Sequence, residues 1–293
     1  GTTSSMRKNS DSFSDKSSTP SAIMTIDVED WFHVENLKSV ISRSMWDSCE
    51  SRVVGNTSRM LELLEKEGIS ATFFVLGWVA ERNPSLVRRI SDAGHEIAAH
   101  GYNHQLISNL TPVEFKRDVL KCKQILEDLT SQPVAGYRAP SFSITDWAID
   151  CLVQLGFSYD SSAFPFAQHG RYGQLAGVSP NVIVEEIRPG FSEVCIPCLP
   201  TRFVNLPWGG GGYFRLCPYR LFRWGIKNIL RKRNAYVFYI HPWEIDPEQP
   251  RIKGVKMSEG FRHYINLKHC ERRWASLLKD FDWLPISNFL QRR

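Results

Sequence analysis

The sequence contains no apolar run approaching the ~20 residues that cross a bilayer, so no membrane-spanning helix is expected. It also lacks a long block of like charge. The 36 Lys and Arg stand dispersed against 31 Asp and Glu, apart from "RKR" at 231–233, and nothing in that balance calls for a nucleic-acid partner. No second cysteine pair or nearby histidine accompanies Cys195 and Cys198, which argues against a four-ligand zinc site there. The seven cysteines are irregularly spaced, and Cys122 and Cys151 fall in apolar-periodic segments as small buried hydrophobes. A reducing, cytoplasmic setting fits that usage. Residues 1–20, "GTTSSMRKNSDSFSDKSSTP", lack the apolar middle of a signal peptide and contain an internal Met6, so they are expected to form a disordered tail.

What is present is a globular composition, 42% hydrophobic and 12% aromatic over 293 residues, enough for one large α/β domain. Short β-branched or aromatic runs alternate with helical patterns. "AIMTIDV", "SATFFVL", "HEIAAH", "PVAGYRA", "FSYDSS" and "AYVFYI" read as strands. Between them, "NTSRMLELLEKEG" and "NPSLVRRISDAG" read as helices closed by Gly68 and Gly94, and "TDWAIDCLVQLG" as one ended by Gly156. The helix beginning "TPVEF" has Thr111 as its cap, Pro112 in its first turn and Glu114 placed to complete a capping box. Alternating units of this kind imply a parallel sheet or barrel. Residues 161–227, rich in Pro and Gly, break the rhythm and are expected to form an irregular insertion within a single domain at 21–293.

Several expected strands end in reactive polar residues: Asp27, Glu29 and Asp30 after the first, His100 and His104 in "HGYNH", then Arg138, Asp160 and His241. In parallel βα folds such ends converge on one mouth. Two imidazoles four residues apart reach one metal if the segment turns helically, and a carboxylate from another strand end completes a hydrolytic two-His, one-carboxylate site. A second carboxylate is then free to act as base. His241, presented at the rim before Pro242, is a candidate general acid; Asp160 is the candidate to hold it, and Arg138 to pair with the base. Taken singly, each of these has a structural reading as a cap, an ion pair or a satisfied core histidine. His33, His95, His169, His263 and His269 fit no pattern.

In "WGGGGYFRL" no Lys-Ser/Thr follows the glycines, which argues against a phosphate loop. The glycines are expected to let backbone approach substrate closely, with Trp208 and Tyr213 as sugar-stacking candidates, or else to form a turn.

In the order "TIDVED", "HGYNH", "YRAPSF", "YDSS", "YIHP", the chain from about Ser21 to Glu244 resembles the polysaccharide deacetylase family, carbohydrate esterase family four. It looks closest to the exopolysaccharide-locus branch, which opens with Asp-Val-Glu-Asp. The resemblance implies a distorted (β/α)7 barrel with a divalent metal, usually zinc, that removes an N-acetyl group from an amino sugar. It makes Asp27 the base, His100 and His104 metal ligands, Arg138 the partner of the base, His241 the acid and Asp160 its support. The family's usual Thr-Phe-Asp-Asp has adjacent acids, whereas here Val28 intervenes, leaving two candidates for the third ligand. Strand alternation favours Glu29; a strand ending at Val28 lets Asp30, with the shorter carboxylate, turn inward. "RAPSF" replaces the family's Arg-x-Pro-Tyr, so the resemblance assigns the oxyanion-binding amide to Ser141 and shifts the aromatic to Phe142. The expected partner is an N-acetylated oligo- or polysaccharide or a lipid-linked glycan precursor. An O-acetyl esterase, a metal-free cyclic-amide hydrolase and a silent carbohydrate-binding barrel are the alternatives.

Overall fold

The computed structural model describes residues 19–164, 173, 175–179 and 181–293. The expected tail lies outside the described residues as far as residue 18, and so does His169. The first half alternates as its sequence predicts. Strands β1 (Ser21–Val28), β2 (Thr72–Val75), β3 (Glu96–Ala99), β4 (Gly136–Tyr137) and β5 (Tyr159–Asp160) pair in parallel in that order. Helices α1 (Val53–Lys66), α2 (Gly77–Arg82), α3 (Pro84–Asp92), α4 (Pro112–Thr130) and α5 (Asp146–Gln154) return the chain between them. β1 is buried along its whole length, as expected of a central parallel strand covered on both faces. The Thr111–Glu114 capping box is formed in both directions at the start of α4.

Residues 161–227 are more regular than their composition suggests. β6 (Val184–Arg188) and β7 (Phe191–Val194) form a hairpin whose second strand runs parallel to β5, extending the main sheet. β8 (Cys198–Pro200) and β9 (Asn205–Pro207) form a second hairpin, followed by α6 (Gly211–Leu216) and α7 (Tyr219–Arg233). Among the described residues of this stretch, β7 is thus part of the main sheet. The short β-branched and proline-flanked pieces disguise it because each strand is only three to five residues long.

β10 (Ala235–Ile240) pairs in parallel with β1, giving the order β10-β1-β2-β3-β4-β5-β7-β6. After α8 (Met257–Tyr264) and α9 (Leu267–Asp280), the short β11 (Trp283–Leu284) pairs with Ala22 and Ile23 of β1, and α10 (Ile286–Gln291) ends the chain's regular structure. The sheet curls into a half-barrel of the distorted (β/α)7 type around one continuous apolar core, as a single domain. Hydrogen bonds from Ile196 N to Ala163 O, Trp208 N to Pro197 O and Tyr239 N to Gly209 O bridge the gap between β5 and β10. Gly210 makes that closure possible: at φ 148 it bridges to Tyr239, where a Cβ would stand 2.1 Å from the Tyr239 carbonyl oxygen. The glycine run therefore serves first to bring backbone against β10. No helix among the described residues is long and apolar enough to cross a membrane.

Candidate active site

Asp27, Glu29, His100, Ser141, Tyr213 and His241 line a cavity of about 400 Å³ at the C-terminal ends of the strands. Asp27 and Thr25 alternate onto the same side of β1. Arg138, fully buried just after β4, donates through Nη1 to Asp27 Oδ1 at 2.9 Å and to Thr25 Oγ1 at 2.7 Å. Its Nε and Nη2 donate to the carbonyl and hydroxyl of Ser161, and its guanidinium lies 4.3 Å from the Phe74 ring centre. A buried arginine with this many acceptors is held as a rigid fork, so Asp27 is fixed in turn.

Directly after β1, Glu29 N donates to Asp27 O, a tight turn that leaves Glu29 facing the cavity. Its Oε2 lies 2.6 Å from His104 Nε2 and 3.4 Å from His100 Nε2. The two histidines do not share a helical turn, contrary to expectation. Gly101 and His104 take φ of 73 and 51, and the loop is pinned by the carboxylate of Asp118 on α4, which accepts from Tyr102 N and Asn103 N. His100 Nδ1 is 2.8 Å from Arg138 O; donation to that carbonyl leaves Nε2 as the acceptor nitrogen, facing Glu29.

Asp30 does not join them. Its Oδ2 accepts from Ser51 Oγ, Arg52 N and Val53 N, and its Oδ1 from Trp31 N, so the carboxylate ties the start of α1 to the end of β1. Asp27 and Glu29 thus face the cavity and Asp30 points away from it, the outcome that strand alternation favours.

His241 follows β10, and its Nε2 lies 3.6 Å from Asp27 Oδ2 and 3.4 Å from Glu29 Oε1. The group that holds it is Glu244 and not Asp160. Glu244 Oε2 is 3.0 Å from His241 Nδ1, while its Oε1 accepts from the buried Arg215 Nε at 2.9 Å. Burial alone would lower the His241 pKa; the carboxylates of Glu29, Glu244 and Asp27 outweigh it and raise it to about 9. Burial would likewise raise Glu244, but His241 and Arg215 bring it down to about 2. Glu29, too, is held well below the carboxylate range, because His104, His241 and His100 reverse the effect of burial. Asp160 instead accepts from Ser162 and pairs with Glu193 on β7. Burial raises both acids, and Glu193 is raised further because the Asp160 charge is beside it.

Of the expected substrate contacts, Ser141, Phe142 and Tyr213 line the cavity. Ser141 and Phe142 both take positive φ, 52 and 56, a strained corner at the mouth. Trp208 does not reach the cavity. Its indole stacks on Phe222 at 4.9 Å and donates to Phe222 O, which makes it a core residue. Sequence reasoning also missed Glu244, Arg215 and Asp118; the His241-x2-Glu244 spacing of a capping box carried the signal for the first of these.

Glu29, His100 and His104 are all buried and present ligand atoms within 4.8 Å of one another. Glu29 Oε2 has no hydrogen-bond donor beyond those imidazoles, and an imidazole lone pair facing a carboxylate oxygen at 3.4 Å is repulsive without a cation between them. The donor set fits a divalent metal that accepts mixed N and O ligands.

Residues 40–159 match the model of the polysaccharide deacetylase family, and residues 161–291 that of a domain of unknown function, DUF3473. Among curated proteins, the chain is 35% identical over 104 residues to a peptidoglycan deacetylase of Helicobacter pylori, covering 36% of each chain. It is 29% identical over 179 residues to a peptidoglycan-N-acetylglucosamine deacetylase of Bacillus cereus, covering 52% of this chain and 62% of the relative. These alignments therefore span about a third to three fifths of the relatives' lengths. A solved Mycobacterium smegmatis protein, provisionally classed as a polysaccharide deacetylase, has the same fold, with TM-score 0.60 and 17% identity over 94% of this chain and 93% of that one. The family match covers the strands that carry the histidine pair and Arg138, so residues 40–159 form a polysaccharide deacetylase family domain.

Proposed function

We propose that the protein is a metal-dependent hydrolase that removes N-acetyl groups from an amino-sugar-containing glycan or glycan precursor, releasing acetate and a free amine. The observation that carries this reading is the convergence of two separately anchored proton-handling groups, Asp27 on Arg138 and His241 on Glu244, beside the Glu29–His100–His104 triad. A divalent cation held by that triad, zinc by preference, supplies the Lewis acidity that polarises a carbonyl and lowers the pKa of water. Arg138 occupies Asp27 Oδ1 and leaves Oδ2 to take the proton of the attacking water. His241, its Nδ1 held by Glu244, gives a proton from Nε2 to the departing nitrogen. The Ser141 N–H is the donor proposed for the oxyanion, with Phe142 and Tyr213 as walls for the sugar.

A departing amine needs that proton and an ester's alkoxide needs it less, so a dedicated proton donor anchored on Glu244 favours amide over O-acetyl ester. The names of the curated relatives support N-acetylglucosamine units as the substrate class, whether in a polymer or a lipid-linked precursor. The Asp-Val-Glu-Asp opening favours the exopolysaccharide-locus branch. Seven unpaired cysteines favour action in the cytoplasm. Acetate release from N-acetylglucosamine oligomers and acetylxylan, and ring opening of a cyclic imide, test the choice. Faster turnover of the amide sugar is expected; preference for either other substrate overturns it. Unchanged sugar affinity and cellular phenotype in Asp27→Asn would favour a carbohydrate-binding role instead.

A further inference from the structure

We propose that the outward face of α7 docks the protein onto an anionic lipid surface. α7, "YRLFRWGIKNILRKR", carries Arg220, Arg223, Lys227, Arg231, Lys232 and Arg233 and no acid, so its six cations exceed the chain's whole net charge of +5. Its apolar face is already used: Phe222, Ile226 and Ile229 are buried in the core. The opposite face repeats at helical spacing, with Arg220, Trp224, Lys227 and Arg231 in one stripe and Leu221 and Lys232 beside it, all exposed.

Two features separate this face from an ordinary solvated one. First, Arg220, Lys227, Arg231 and Lys232 meet no carboxylate among the described residues, whereas Arg223 on the flank pairs with Asp280. Unpaired cations crowded on one stripe repel each other in solution and are relieved only against an opposing negative surface. Second, the stripe includes an indole, Trp224 at 55% exposure, with Leu221 at 47% and Leu216 at 51% around the turn before α7. An indole set among cations is the composition of a membrane-interface face; a polyanion in water would gain from the charges but not from the apolar side chains. At the other end, Pro200 and Asn205 of the β8–β9 hairpin share a small cleft with Ile229 and Arg233.

The stripe also has a useful position. α6, which lines the active-site cavity with Gly211, Tyr213 and Leu216, leads directly into α7, and α7 runs antiparallel to β10, so its N-terminal turn lies at the mouth end. Docking through α7 would hold the mouth beside the lipid surface. The docking itself rests on charge and exposure and not on the proposed reaction.

The test is flotation of the full chain with phosphatidylcholine vesicles, with and without 30% phosphatidylserine at about 0.1 M salt, where surface charge still acts over ~10 Å. Binding is expected only with phosphatidylserine and is expected to disappear at about 1 M salt. Each charge removed by Arg220→Gln, Lys227→Gln or Arg231→Gln is expected to weaken it about fivefold. Brominated lipid should quench fluorescence in the wild type and not in Trp224→Phe, a readout indifferent to small changes in fold. Equal binding to neutral vesicles, undiminished binding by the triple variant, or retention by a soluble polyanion without any by vesicles would overturn the proposal.

Discussion

Glu244 Oε2 lies 3.0 Å from His241 Nδ1 and accepts from the His241 main-chain nitrogen at 2.9 Å, so one carboxylate oxygen fixes both the ring and the backbone of the same residue. The other oxygen is taken by Arg215, whose remaining donors reach the carbonyls of Arg262, His263 and Ile265. The imidazole at the mouth is thereby tied to the C-terminal helices.

A Glu244→Gln variant keeps the shape of this contact but loses one of the carboxylate charges, after Glu29, that raise the His241 pKa. It is expected to lower kcat by about 10²–10⁴-fold with little change in KM, the pattern of a lost transition-state interaction. Asp160→Asn is expected to cost far less, since Asp160 faces Glu193 and Ser162. An equal loss in the two variants would contradict the assignment.

Asp30 is a structural acid. Asp30→Ala strands the N–H groups of Arg52 and Val53 and should cost about 2–3 kcal/mol in urea unfolding while leaving metal stoichiometry unchanged.

Trp208 and Tyr213, both candidates for sugar contact by sequence, should separate cleanly. Trp208→Ala opens the core against Phe222 and is expected to destabilise by about 3–5 kcal/mol. Tyr213→Ala, on a partly exposed cavity wall, is expected to raise KM with the melting temperature nearly unchanged.

Acid should destabilise the protein before ordinary carboxylates titrate. Burial lowers His95 to about 4 and His263 to about 3, so both fold neutral while the unfolded chain protonates them below about 6.5. Their contribution is complete above pH 6.5 and falls as pH drops toward 4, by up to about 1.4 kcal/mol per unit for each. His241 has the opposite sign and acts between 6.5 and about 9, outside that window. Urea melts at pH 7 and pH 5 should show the loss, and His263→Gln should flatten it; a flat wild-type profile would contradict the neutral-histidine account.

Much of the site was legible because strand ends in parallel βα units converge, and Asp27, His100, His104, Arg138 and His241 each follow a recognisable apolar run. The capping box at Thr111 was legible because it is a local interaction. Partners set by tertiary packing were not: Asp160 sits on the neighbouring strand to Arg138 but faces Glu193, whose strand was hidden in a segment dominated by turns. Alternation pointed to Glu29 over Asp30, but the sequence did not show whether the strand ran past Val28, and that choice is set by the contacts of Asp30 with Ser51, Arg52 and Val53. The Asp118 anchor lies on a helix read for its caps alone.

The central claim is that Glu29, His100 and His104 together hold a divalent cation on which turnover depends. The direct measurement is zinc titration of the chelator-stripped protein by calorimetry, with acetate release followed in the same samples, for wild type, Glu29→Gln and Asp30→Asn. One tightly bound ion per chain is expected in wild type and Asp30→Asn, with activity returning in step, and neither in Glu29→Gln. Acetate release indifferent to chelation, or unchanged zinc binding in Glu29→Gln with loss in Asp30→Asn, would contradict it.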